Sequence, residues 1–349
     1  MDSFGDVPAP SSVPLPDALD PYPASPAYDG GFLDVGDGQR VAWECSGNPA
    51  GVPLLVVHGG PGSGGGVGAP ARPGPCDPAR YRVIRFDQRG CGLSTPHASD
   101  PGTDLSVNTT GRLVADMERL REETGVRRWV LFGGSWGSTL ILAYAVRYPE
   151  RVRAIVLHGV TTTRRSEIDW LYRGVARFRP EAWERFVAAS GPAGAAAVAA
   201  GGHPVAAYAA LVSDPDPRVR ERAVRAWCAW EDAVLAEETE AGGGVAPTVY
   251  TDRAVRDRAA FVRICAHYFA HGAWLEEGEL LRDAGRLAGV PGVLTQGRRD
   301  LAGPPDTAWA LARAWPGAEL RMVEGGGHLA TEESRRWVRA ALDRFAEAP

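Results

Sequence analysis

The chain has 349 residues and no lysine: all 38 of its basic side chains are arginine. Without a primary amine on any side chain, Schiff-base catalysis, a Ser–Lys dyad and a P-loop lysine are all excluded. Cysteine is scarce too. Cys45, Cys76, Cys91, Cys228 and Cys265 are odd in number and form no C-x-x-C pair, so neither a disulfide framework nor a zinc site is expected. No apolar run approaches the roughly 20 residues of a membrane-spanning helix, and the first residues lack a basic start followed by an apolar stretch. The net charge of −5 offers no electrostatic hold on nucleic acid or an anionic membrane. The expectation is a cytoplasmic protein with no metal, no nucleic-acid partner and no membrane partner.

What is present is a globular composition, 44% hydrophobic and 23% charged, in a chain long enough for one large core with an insertion. Residues 1–27 are rich in Pro, Ser and Ala and read as a tail or a surface strap. Phe32–Trp43 alternates around Asp37-Gly38, a β-hairpin signal. Apolar strands follow at Val52–Val57, Tyr81–Phe86, Val130–Phe132 and Arg153–Leu157, with a helix over Asn108–Glu123. From about 164 to 288 the pattern is helical, broken at Gly201–Pro204 and Ser213–Pro217. Strand and helix then alternate again through Val290–Thr295, Asp306–Ala314, Glu319–Val323 and Glu332–Phe345. This order predicts an α/β fold with a mostly parallel central sheet flanked by helices. Residues 28–163 and 289–349 form its core, and residues 164–288 form an inserted helical cap.

Gly133–Ser138 reads GGSWGS and sits between an apolar strand and an apolar helix. That is the G-x-S-x-G spacing of a nucleophile elbow, which presents Ser135 at the end of a sheet with a helix N-terminus behind it. A serine nucleophile needs a base, and the base needs an orienting carboxylate. His328 follows the last strand within GGGH, and Asp300 follows the preceding strand within QGRRD. The chain order Ser135, Asp300, His328 is that of α/β hydrolases. Asp306 is the rival to Asp300, but its position suits a helix cap. His97, His203 and His271 read as solvated, His158 and His267 as structural, and His58 as a brace for the loop it opens. The oxyanion hole is expected from the backbone N–H groups of Trp136 and Gly60.

HGGPGSG at His58–Gly64, DQRGCGLSTP at Asp87–Pro96, NTT at Asn108–Thr110 and GGSWGSTL at Gly133–Leu140 resemble the prolyl aminopeptidases, or proline iminopeptidases. The resemblance runs from Tyr22 almost to the C-terminus. It implies an α/β-hydrolase serine peptidase with a helical cap and no cofactor, which removes an N-terminal residue, typically proline, from a small peptide or aminoacyl amide. It also implies that cap glutamates hold the substrate's amine. One lies in W-x-x-W-E, present as Trp227–Glu231, which makes Glu231 the amine-binding residue. A second belongs to a motif like R-I-E-N-H-Y-F. Here Arg263–Phe269 reads RICAHYF, so Cys265 stands at the glutamate position and Ala266 at the asparagine. The family's frequent cysteine after the aspartate is replaced by Leu301.

The Cys265 and Ala266 departures are expected to weaken the grip on the amine and to open space in the cap. A second reading is therefore an amidohydrolase that removes an aminoacyl group from a larger apolar metabolite, such as a polyketide intermediate. A third reading, an esterase, conflicts with the retention of Glu231.

Overall fold

The computed structural model describes residues 20–236 and 248–347. Its centre is an eight-stranded sheet: β1 (Ala27–Gly36), β2 (Gln39–Gly47), β3 (Val52–Val57), β4 (Tyr81–Phe86), β5 (Trp129–Ser135), β6 (Val152–Val160), β7 (Gly292–Gly297) and β8 (Ala318–Val323). The spatial order is β1-β2-β4-β3-β5-β6-β7-β8. The β1–β2 hairpin joins antiparallel to β4, and all further pairings, from β4 to β8, are parallel. The predicted strands are thus all present, and β5 runs on to include Ser135 itself.

The parallel strands read as unbroken apolar runs because both faces of the sheet are covered. Leu55, Leu131, Leu157 and Leu294 face one core, which helices α1 (Thr110–Glu123) and α2 (Trp136–Arg147) help to build. Their chain neighbours Leu54, Val130, Val156 and Val293 face the other side. There they meet Val338, Ala341, Leu342 and Phe345 of the last helix (Glu332–Glu347), spaced to form one apolar stripe.

Between β6 and β7 the chain is helical: α3 (Arg165–Tyr172), α4 (Pro180–Ala189), α5 (Gly191–Ala199), α6 (Pro204–Leu211), α7 (Pro217–Leu235), α8 (Val255–Ala270) and α9 (Glu279–Asp283). The expected breaks fall between α5 and α6 and between α6 and α7. This segment has its own core, built on Tyr172, Phe186, Tyr208, Trp227, Trp230 and Phe261. Helix α10 (Pro305–Ala314) and the closing helix α11 (Glu332–Glu347) complete the elements. The predicted tail falls mostly on residues 1–19, outside the described residues. From Asp20 the chain behaves as a strap: Tyr22 pairs with Gly74, lies under the Arg339 guanidinium and donates its hydroxyl to Asp343.

One buried ion pair ties the hairpin to this core. Arg89, just after β4, has a side chain only 1% exposed. Its Nε and Nη2 grip Asp116 of α1 at 2.6 and 2.8 Å. Its remaining N–H groups reach Asp37 of the hairpin turn and the carbonyls of Val35 and Val107. Arg89→Met leaves the Asp116 carboxylate buried without its partner, which costs about 3–5 kcal/mol. In urea unfolding the double variant Arg89→Met/Asp116→Leu is expected to recover part of that loss. If the double variant is as unstable as the single one, the loss is one of packing rather than of an orphaned charge.

Candidate active site

Ser135 ends β5 and has φ 55° and ψ −131°, a strained conformation for a residue with a side chain. The reason is close packing. A Cβ on Gly133 would sit 2.6 Å from the Val57 carbonyl oxygen, and one on Gly137 would sit 2.4 Å from the same atom. The end of β3 therefore presses against both glycines, and the chain turns sharply at the residue between them. Ser138 fixes the turn, because its hydroxyl lies 2.6 Å from the Ser135 carbonyl and accepts from Thr161 N–H at 2.9 Å. Trp136 opens α2, where backbone N–H groups have no partner within the helix.

The loop after β3 is held by His58, as expected. Its Nε2 accepts from Gln88 N–H at 3.0 Å, so the proton is on Nδ1, which donates to the Gly59 carbonyl at 2.9 Å. Burial pushes its pKa down to about 4, which keeps the ring neutral. Gln88 returns the bond to the His58 carbonyl and also accepts from the Trp136 indole at 2.9 Å. The loop carrying Gly60 and the helix start carrying Trp136 are thereby locked to each other.

Asp300 and His328 meet across the ends of β7 and β8. His328 Nδ1 donates to Asp300 Oδ2 at 2.8 Å, and the Asp300 side chain is fully buried. The same carboxylate accepts from Gln296 Nε2 at 2.8 Å and from Gly303 N–H at 2.7 Å. This arrangement fixes the tautomer that leaves the His328 Nε2 lone pair as the basic site. Behind it, His158 Nε2 donates to the His328 carbonyl at 3.1 Å while its Nδ1 faces Thr295 Oγ1 at 3.0 Å. Asp306 is not the cap of α10: it lies exposed in the first turn, and Pro304 occupies the cap position. His97 is buried rather than solvated, with Nδ1 against Ser99.

A cavity of about 50 Å³ brings Gly60, Ser135, Trp136, Glu231 and His328 together. Glu231 arrives from α7 and is 7% exposed. Its Oε1 accepts from the Tyr172 hydroxyl at 2.5 Å and from the Trp227 indole at 3.2 Å. Burial pushes its pKa up to about 7, against the pull of those two donors. Ile168, Leu171, Tyr250 and Phe269 supply apolar walls.

Cys265 and Ala266 do not open that cavity. Both are fully buried in the helical segment's core, and the Cys265 thiol donates to the Pro61 carbonyl at 3.2 Å. Sequence reasoning passed over Gln88, Gln296, Tyr172 and Tyr250. A glutamine inside the apolar run of β7 was a usable signal, since a buried amide demands partners. The two tyrosines carry no such mark.

The α/β hydrolase fold family matches residues 52–334. The probable proline iminopeptidase of Streptomyces coelicolor is 44% identical over 329 residues, 93% of this chain and 97% of that protein. The proline iminopeptidase of Xylella fastidiosa is 41% identical, over 89% and 94% of the two chains. Among solved structures, the proline iminopeptidase of Mycobacterium smegmatis superposes with a TM-score of 0.59 at 19% identity, covering 91% of this chain and 99% of that one. An esterase from Rhodococcus superposes at 0.55 and 19% identity, over 91% and 98%, and at that distance shares the fold alone. With a strained serine at the elbow, a histidine–aspartate pair beside it and relatives matched over nearly their whole length, the chain belongs to the proline iminopeptidase family of α/β hydrolases.

Proposed function

We infer that the protein is a serine aminopeptidase that releases N-terminal proline from small peptides through an acyl-enzyme. The observation that carries this reading is a buried carboxylate, Glu231, in the same small cavity as Ser135 and His328. A substrate's N-terminal ammonium is costly to bury without an anionic partner. Glu231 supplies that partner, and the aliphatic and aromatic walls suit the pyrrolidine ring.

Ser135 Oγ attacks the prolyl carbonyl while His328 Nε2 takes its proton, and Asp300 holds the imidazole and the imidazolium that forms. The backbone N–H groups of Gly60 and Trp136 receive the oxyanion. Collapse of the tetrahedral intermediate breaks the C–N bond, and His328 returns the proton to the leaving amine. Water, deprotonated by His328, then attacks the acyl-enzyme and frees proline and Ser135. Every proton is accounted for by these groups, so the cycle needs no cofactor. Residues 164–288 act as the cap that encloses the substrate. A cytoplasmic setting suits the five free cysteines. The alternative of a large apolar metabolite rested on vacated space at Cys265, which does not border the cavity. A neutral acyl group, as in an esterase, would leave Glu231 without a counter-ion.

Ser135→Ala is expected to lower kcat for prolyl 2-naphthylamide by about 10⁴-fold or more. Glu231→Gln is expected to lower kcat/KM for that substrate by about 10²-fold while leaving turnover of an acetyl ester within about threefold. The ratio of prolyl amide to acetyl ester kcat/KM cancels the ionisation of His328, which both reactions share. That ratio rises with pH through about 7, as Glu231 ionises. A ratio that stays flat from about pH 5.5 to 8.5 would remove Glu231 from amine binding.

Glu231 also links stability to pH. Its folded pKa, about 7, lies above the ordinary 4.5, so the folded state binds the proton more tightly than the unfolded one. Its contribution is therefore most favourable below about pH 4.5 and is lost as pH rises through 7, a span worth about 3 kcal/mol. Glu231→Gln keeps the acceptor for Tyr172 and Trp227 and has no charge to bury. Its Tm at pH 8 should exceed the parent's by about 5 °C, with little difference at pH 4.5. An equal difference at both values would show that charge burial is not the cause.

A further inference from the structure

Arg253 lies between α7 and α8 and, among the described residues, is a cation without a counter-ion. Its Nε donates to the Val249 carbonyl at 3.1 Å, and its Nη2 reaches Ser63 Oγ at 3.4 Å. Nη1 is buried and has no hydrogen-bond partner. Among the described residues, no carboxylate lies within ion-pair distance of this guanidinium. The group stacks instead on Tyr250 and Phe261, 5.0 and 5.1 Å from the two ring centres. A guanidinium has five N–H donors, and Arg253 uses two. A half-buried guanidinium with idle donors is ready to take an anionic ligand.

Its position says which part of a substrate could do so. Ser63 belongs to the same loop as Gly60, and its hydroxyl lies 3.1 Å from where a Cβ on Gly60 would stand. Tyr250, under the guanidinium, is a wall of the cavity that holds Ser135 and Glu231. A peptide whose ammonium sits on Glu231 and whose carbonyl sits on the Gly60 amide extends past that loop. The α-carboxylate of its second residue lies about 4–5 Å from the carbonyl carbon under attack. Arg253 stands on that side, joined to the Gly60 loop through Ser63 and stacked on the cavity wall at Tyr250.

Resting on the prolyl reading above, we propose that Arg253 is a specificity-determining residue that binds the free C-terminal carboxylate of Pro-Xaa dipeptides, which makes them the preferred substrates. The test is kcat/KM for Pro-Gly, Pro-Gly-NH2 and prolyl 2-naphthylamide with the parent, Arg253→Gln and Arg253→Lys. The parent should favour Pro-Gly over its amide by about tenfold, chiefly through KM. Arg253→Gln should bring that ratio to about one and leave naphthylamide turnover within about threefold, while Arg253→Lys, with its charge but no fork, keeps part of the preference. A parent ratio near one overturns the proposal. So does an equal fall on all three substrates in Arg253→Gln, which would assign the residue to packing on Tyr250 and Phe261. A parent that cleaves none of the three overturns the prolyl reading and this proposal with it.

Discussion

One carbonyl oxygen, that of Val57 at the end of β3, sets the geometry on which the rest of the site depends. It faces the positions where Gly133 and Gly137 would carry side chains, at 2.6 and 2.4 Å. Parallel pairing places Val57 opposite Gly133, so the tight contact follows from the sheet itself. With both flanks pressed against β3, Ser135 is left at the apex of the turn in a conformation that only surrounding structure can hold. The loop after Val57 then passes directly over the serine: a Cβ on Gly59 would lie 3.4 Å from the Ser135 Cβ. The strained turn at Ser135 and the Gly59–Gly60 loop over it are thus two consequences of one close approach between neighbouring strands.

Around this rigid centre the polar groups fall into two kinds. His58, Gln88, Gln296 and Asp300 have their hydrogen bonds satisfied within the protein, which fixes loops and tautomers before substrate arrives. Glu231 and Arg253 are incompletely compensated. One is a carboxylate that burial drives towards its neutral form, and the other is a guanidinium with unused donors. On the proposals above, each is met by one end of a zwitterionic peptide. Such tension is reasonable in an active site, because binding energy is released where the free protein is least satisfied.

The helical segment shows how distant parts of the chain are recruited to this centre. Its aromatic core positions α7 so that Glu231 points into the cavity, while α8 sends Cys265 to the Pro61 carbonyl. The segment therefore touches the Pro61 loop as well as lining the cavity. A cysteine at 265, although shorter than a glutamate, reaches the Pro61 carbonyl.

The strands, the hairpin and the helical insertion were legible because local periodicity and glycine-rich strand ends carry them. So were Ser135, Asp300 and His328, since the ends of consecutive parallel strands in one sheet lie on the same edge. Tyr172, Tyr250 and Arg253 were not, because nothing in their own neighbourhoods marks them. Their partners stand far along the chain: Tyr172 meets Glu231, and Arg253 meets Ser63. The room at Cys265 was misjudged for the same reason, since whether a short side chain leaves space depends on what packs against it. By itself the sequence determined the fold, the chain order of Ser135, Asp300 and His328, and a glutamate beside two tryptophans. Only the tertiary structure decided which charges are buried together, because burial and counter-ion distance are properties of packing between segments that local pattern does not encode.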